Sequence, residues 1–265
     1  ASDAVRALPG NADALSMAGQ LQIGLGQKKE AIATFKRLVA LQPRSTRPQI
    51  MLANALFVSG DRAGAAGVLN AAATLEPSSG DVCAAQINLM FAQGDADGAV
   101  NKAKAYQTAN PGAAADILLA DTLVRAKKLD QAASVLTQSY SAHPNGASLS
   151  RLAQLKIAGG DSKQAAALLA NWLKSNPLDL EVRIQYATLL MMTRDTTQAA
   201  AQFELILKQD AKNVAALNNL GWLLQRSDPK RALSLALSAD KLSPNSPDVL
   251  DTIGMTGELL PFAQA

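Results

Sequence analysis

The sequence predicts an all-α solenoid assembled from helical hairpins of one length, and three observations carry that prediction. Seven of the eleven prolines stand at near-constant spacing: Pro9, Pro43, Pro77, Pro111, Pro144, Pro177 and Pro244. Successive gaps are 34, 34, 34, 33 and 33 residues; the last, 67, is two periods, with Ala211 where the missing proline would fall. A fixed period in this range marks one supersecondary unit stacked many times. Midway between the prolines a turn returns, as Gly60-Asp61, Gly94-Asp95 and Gly160-Asp161, with Gly26-Gln27, Lys127-Lys128 and Arg194-Asp195 in register. After each turn an alanine precedes a larger apolar residue by four: Ala31/Phe35, Ala65/Leu69, Ala132/Leu136, Ala165/Leu169 and Ala199/Phe203.

Each element of the repeat follows from these residues. A short turn after the proline leads into a first helix with apolar and small residues at helical spacing. Gly ends that helix because it accepts the left-handed conformation without steric cost. Asp then opens the second helix, accepting free N–H groups and complementing the helix dipole. The (i, i+4) alanine pair lies on one face, the small residue admitting a neighbouring helix and the large one filling the gap. Proline closes the second helix, since it cannot extend the hydrogen-bond ladder and restricts the residue before it.

On this frame residues 1–10 read as the end of a second helix from a preceding repeat. Seven units follow at about 11–44, 45–78, 79–112, 113–145, 146–178, 179–212 and 213–245, and a lone first helix spans about 247–260. Two units depart from the pattern. In the third, Cys83, Gln86 and Ile87 fit the frame poorly, which predicts a rotated first helix. The seventh has a shorter turn, Ser227-Asp228-Pro229-Lys230. After Gly254 the frame breaks: either the last helix caps the stack or, as the start at Ala1 also suggests, the sequence is an excised or processed piece of a longer chain, so the lack of a leader says nothing about export.

Composition narrows the chemistry. Alanine is about a fifth of the chain and aromatic residues 4%, so helix packing rests on small and aliphatic side chains. A net charge of +3 with no Lys/Arg run longer than two residues argues against nucleic acid. A single cysteine, Cys83, excludes an internal disulfide and a thiolate metal cluster. No 18-residue apolar run exists, so no transmembrane segment is expected.

Nothing points to catalysis, a metal or a cofactor. The lone His143 precedes Pro144 in an inter-repeat turn with no second ligand near it in sequence, and reads as a solvated turn residue. Cys83 reads as a small buried hydrophobe rather than a reactive thiol. Gly24-x-Gly26 and Gly64-x-x-Gly67 follow no strand, so they are not phosphate loops. Trp172, in a second helix, and the Met191-Met192 pair read as packing residues ahead of ligand contacts.

In the first helices a large residue followed by a large–small pair recurs, most clearly as Leu217-Asn218-Asn219-Leu220-Gly221 and again as Leu250-Asp251-Thr252-Ile253-Gly254 and Leu149…Leu152-Ala153. With Ala…Phe…Pro in the second half of each unit, the chain resembles the tetratricopeptide repeat family. The resemblance implies a right-handed superhelix whose first helices line a concave wall and whose function is to bind a protein segment, a peptide or partner helix, in that groove. Carried over slot by slot, the wall would present Arg47, Ile50, Asn54 and Phe57, then Ala84, Asn88 and Phe91, then Ile117, Asp121, Val124 and Arg125. Ser150, Gln154 and Ile157 follow, then Ile184, Thr188 and Met191, and finally Asn218, Trp222, Gln225 and Arg226. Asn54 and Asn88 share one slot, and an amide there can donate to and accept from an extended backbone; a solvated helix Asn is the equal alternative. The slots that clamp acidic chaperone tails in some relatives hold Ser16, Gln20, Ile50, Asn54, Ala84 and Asn88, which argues against that ligand.

Within the family, the stretches at 218–224 and 250–254 resemble bacterial envelope lipoproteins of the exosortase (PEP-CTERM) and exopolysaccharide-export systems. That likeness implies partners in the exopolysaccharide secretion machinery and a place in the periplasm, anchored to the outer membrane through a part outside this chain, with the cytoplasm as the alternative. Two rival functions stay open. The repeats could be the targeting arm of a larger enzyme such as a glycosyltransferase, or a homo-oligomer could form through exposed repeat ends.

Overall fold

The computed structural model describes residues 10–259, and every regular element in them is an α-helix. Fifteen helices are described: α1 (Ala12–Gly24), α2 (Lys28–Leu41), α3 (Thr46–Ser59), α4 (Arg62–Leu75), α5 (Gly80–Ala92), α6 (Ala96–Ala109), α7 (Ala113–Arg125), α8 (Leu129–Ala142), α9 (Gly146–Ala158), α10 (Ser162–Ser175), α11 (Leu180–Met192), α12 (Thr196–Gln209), α13 (Val214–Leu224), α14 (Pro229–Leu242) and α15 (Pro247–Leu259). Odd-numbered helices are the first of each pair and even-numbered ones the second. The all-α tandem-hairpin class expected from the sequence is what forms. The expected helix at 1–10 lies outside the described residues, Gly10 excepted.

The turns form for the reasons their residues suggest. Gly26, Gly60, Gly94 and Gly160 all take positive φ, and so do Lys127 and Arg194, which stand in the same slot. Asp61, Asp95, Asp161, Asp195 and Asp228 each cap the following helix by accepting from the backbone N–H three residues on, each cap contributing about 1 kcal/mol. Second helices stop two residues before the proline. The residue between leaves the helical region, with φ of −128° at Gln42, −139° at Glu76, −132° at Asn110 and −128° at Asn176. Asp210 adopts φ −136° although Ala211 follows it, so the turn survives without its proline.

Packing resolves into two compact units, one ending at Ser139 and the other beginning at Tyr140. In the first, Leu15, Phe35, Leu38, Leu52, Leu56 and Leu69 bury around Ala31, Ala53 and Ala65. In the second, Leu149, Leu169, Leu189, Phe203, Ile206 and Leu220 bury around Ala165, Ala187 and Ala199. Arg183 is also interior here, donating from Nη1 to Gln202 Oε1 (2.7 Å) and from Nη2 to the Pro177 carbonyl (2.6 Å). It ties the inter-repeat turn to α12, and burial lowers its pKa. α15 packs Val249 against Leu217 and Ala239 and stays helical through Leu259, past the break in the repeat frame at Gly254.

The third unit corrects an expectation. Its first helix, α5, is not rotated: Val82, Cys83, Gln86 and Ile87 are buried in the slots that Pro48, Gln49, Leu52 and Ala53 fill in α3. What changes is volume. Ile87 occupies the small slot, and on α6 the large slot falls to Ala103, buried beside Ala99. Exchanging large and small across the contact leaves the total nearly constant, which cores tolerate. Gln86 is held by donating its Nε2 proton to Asn70 Oδ1 at 2.9 Å.

The tightest version of that contact is in the first hairpin. A Cβ added at Gly19 would lie 2.4 Å from the Phe35 ring, which is itself buried. Gly19→Ala is expected to cost about 1–3 kcal/mol. Phe35→Leu on that background, which copies Ala53 with Leu69, should recover most of it; thermal melts of both singles and the double measure the coupling.

Cys83 is buried, as expected, and burial holds its thiol above the ordinary pKa of 9.0, opposed by the Lys102 ammonium. A group raised on folding contributes stability that is intact below the unfolded pKa and lost as pH rises through the folded one. Its contribution should therefore persist at neutral pH and fade only in the alkaline range. Iodoacetamide labelling near neutrality should follow the rate of unfolding; rapid labelling of the folded protein would show an accessible thiolate instead.

Candidate peptide-binding wall

Within each unit, some successive first helices touch: α3 with α5 and α5 with α7 in the first, α9 with α11 and α13 with α15 in the second. Among the described residues no two successive second helices make comparable contact. The first-helix layer is therefore the more closely spaced, and each unit curves towards it.

The slot shared by Asn54, Asn88, Asp121, Gln154, Thr188 and Trp222 is exposed in all six of these first helices. The apolar members are half-buried. Ile50 and Phe57 lean on the core of the first unit and Ile184 on that of the second. Phe91 and Ile117 are likewise half-buried, and Arg47 is exposed. Trp222 is the most open aromatic of the set, 40% exposed. Two residues point elsewhere. Ser150 is buried, its carbonyl accepting from Gln185 Nε2 at 3.0 Å, so it does not face the wall. Asn218 is half-buried with its Oδ1 enclosed and unpartnered, which leaves only part of its amide to the wall.

In the first unit the slots combine into two adjoining clefts. The larger, about 330 Å³, lies between α3, α4 and α5; Ile50, Met51, Phe57 and Leu89 wall it, Ala53, Ala65 and Leu69 floor it, and Asn54 and Asn88 stand at its rim with Ala85. The smaller, about 140 Å³, lies between α5 and α7 and is lined by Asn88, Phe91, Leu118, Asp121 and Arg125 among others. Asn88 belongs to both.

Arg125 connects the two helices. Its guanidinium lies 4.1 Å from the Phe91 ring centroid, and its Nη1 donates to Asn88 Oδ1 at 2.7 Å. Such a cation–π contact contributes about 0.5–1 kcal/mol at an exposed site. The hydrogen bond also polarises Asn88: with the oxygen engaged, the amide offers its N–H protons to the groove. Asp121, on the same helix face, is already engaged.

Sequence reasoning found the rim but missed the cleft floor. Ala85 gave the one available signal: its slot holds Met17, Met51, Leu118, Arg151, Gln185, Asn219 and Thr252 in the other first helices, each larger than alanine. Of the remaining candidates, Trp172 is a packing residue, its ring 6.1 Å from Tyr140 and its Nε1 donating to Asp179 Oδ2 at 2.7 Å. Met191 packs on the core, whereas Met192, expected to do the same, is 65% exposed because it falls on the opposite face of α11. His143 is an exposed turn residue whose carbonyl accepts from Asn145 Nδ2. Among the described residues no three His, Cys, Asp or Glu side chains converge as a metal site would require, and no helix is long and apolar enough to cross a membrane.

Comparison with known proteins agrees with this architecture. A crystal structure of a tetratricopeptide repeat protein from Parabacteroides merdae ATCC 43184 superposes with a TM-score of 0.53 at 14% identity, covering 93% of this chain and 98% of that one. The hetero-tetramer Cut9-Hcn1 of the APC/C gives 0.52 at 10% identity, over 94% of this chain and 56% of the other. Both likenesses concern the fold alone. A TPR repeat-containing protein of Pseudomonas aeruginosa is 28% identical over 156 residues, 56% of this chain, and the chain spans about a quarter (26%) of that relative's length. Tetratricopeptide repeat profiles match residues 16–82, 84–147 and 156–220, most of the chain, and with the helix pairs above they show that it belongs to the tetratricopeptide repeat family.

Proposed function

We propose that the protein is a non-enzymatic binding scaffold that holds an extended peptide segment of a partner protein along the first-helix wall of its first unit. The observation that carries this reading is the pair of adjoining clefts with Asn88 common to both. An extended chain offers a polar group at every residue, and Asn54 and Asn88 supply amides at repeat spacing to meet it. Half-buried apolar side chains beside them give the contact its hydrophobic area. The family supports the reading at its own level, since tetratricopeptide repeats serve as protein-interaction scaffolds.

Selection of a phage-displayed random peptide library on the immobilised protein tests the proposal. Binders should be recovered, and the double variant Asn54→Ala, Asn88→Ala should weaken them about tenfold to a hundredfold, as the loss of two hydrogen bonds implies. Helicity and melting should hardly move, because both residues are exposed. Equal affinity in the double variant would remove the amides from the binding site.

We propose as a narrower role exopolysaccharide export from the periplasm, which rests on the sequence resemblance of the stretches at 218–224 and 250–254 alone. Cell fractionation checks it: the native protein is expected in the periplasmic or outer-membrane fraction, and recovery from the cytosol would overturn it.

A further inference from the structure

We infer that the larger cleft of the first unit is an anchor pocket for one large apolar side chain of the bound peptide, of leucine, isoleucine or phenylalanine type, and that Ala85 is the residue that opens it. The inference deepens the peptide-binding reading and rests on it.

The floor of the cleft reaches the hydrophobic core itself. Ala53, Ala65 and Leu69 are each at most 3% exposed overall, yet all three line the hollow. A polar group lowered onto methyl groups would lose its water partners without replacement, so the occupant's buried part is apolar. The rim has the opposite chemistry. Asn88 presents N–H protons because Arg125 holds its oxygen, and Asn54 makes no side-chain hydrogen bond among the described residues. An apolar hollow between two backbone-reading amides fits a residue of an extended chain: side chain down, flanking peptide groups at the rim.

Ala85 explains why the hollow exists at this place. In the other first helices the same slot carries Met17, Met51, Leu118, Arg151, Gln185, Asn219 or Thr252, each larger than alanine; Met51 reaches back to accept from Ser16 Oγ of α1 at 3.8 Å, and Leu118 lines the smaller cleft. The missing side chain leaves the space between α3 and α5 open, at about 330 Å³. Because adjacent repeats already accept methionine and leucine here, filling the slot is compatible with the fold.

The test uses the same random peptide library against the wild type and the variants Ala85→Met and Ala85→Leu, which copy Met51 and Leu118. Peptides enriched on the wild type should share one large apolar residue, and a synthetic copy with that residue changed to alanine should lose affinity. Both variants should keep native circular dichroism and an undiminished melting temperature, yet bind the enriched peptides about tenfold to a hundredfold more weakly, the range set by withdrawing one such side chain from burial. Enriched peptides without a common apolar residue, or bound equally by folded Ala85→Met and Ala85→Leu, would overturn the anchor pocket while leaving the scaffold reading intact. Failure of the wild type to enrich any peptide would overturn both.

Discussion

Every hairpin depends on an alanine that cannot be enlarged. Ala31, Ala65, Ala99, Ala132, Ala165, Ala199 and Ala232 occupy one slot of the seven second helices, and none is more than 1% exposed. A side chain of one carbon lets the partner helix approach until the larger residues on either side interdigitate, and dense interiors tolerate no extra methylene at such a point. Around that fixed alanine the rest of the contact is adjustable. Gly19 faces Phe35, Ala53 is paired with Leu69, and Ile87 with Ala103. In α13 and α14 both members are small, and a Cβ at Gly221 would lie 3.1 Å from the Ala232 carbonyl oxygen. One backbone geometry is thus reached through three divisions of nearly the same volume, and in the last hairpin through a closer approach of the two helices.

The turns show the same separation between geometry and residue. Positive φ at Lys127 and Arg194 reproduces what glycine does in the other mid-repeat turns, at a cost that L residues bear because of their Cβ. Asp210 takes the same non-helical conformation as the residues before the prolines, although no proline follows it. These positions hold because the helices they join are already fixed by packing on both sides. Glycine and proline lower the cost of the turn; helix packing decides where it falls.

That hierarchy explains which features were legible in the sequence. Period, helix boundaries, aspartate caps and the exposed slot of Asn54 and Asn88 depend on residues within one repeat, so a pattern repeated several times reveals them. Within their own helix Cys83, Gln86 and Ile87 fit the frame poorly and point to a rotation of α5 that does not occur. Ala103, the compensating partner, lies on the next helix. Likewise the link from Arg125 to Asn88 and Phe91 joins neighbouring repeats, and no spacing rule announces it. Ser150 and Gln185 lie 35 residues apart, so the hydrogen bond from the Gln185 amide to the Ser150 carbonyl is also a link between neighbouring repeats.

The chemistry of the wall is accordingly a property of repeat pairs. Asn54 and Asn88 occupy the same slot, yet only Asn88 has its oxygen engaged, because only its successor helix carries an arginine able to reach it. The same holds for shape, since the larger cleft needs the small Ala85 on α5 and the small Ala53 and Ala65 on α3 and α4 together. A substitution confined to one repeat can therefore alter hydrogen-bonding polarity or depth at a neighbour without disturbing the helix that carries it. Such coupling lets a stack of nearly identical hairpins acquire a specific site while the packing alanines stay unchanged.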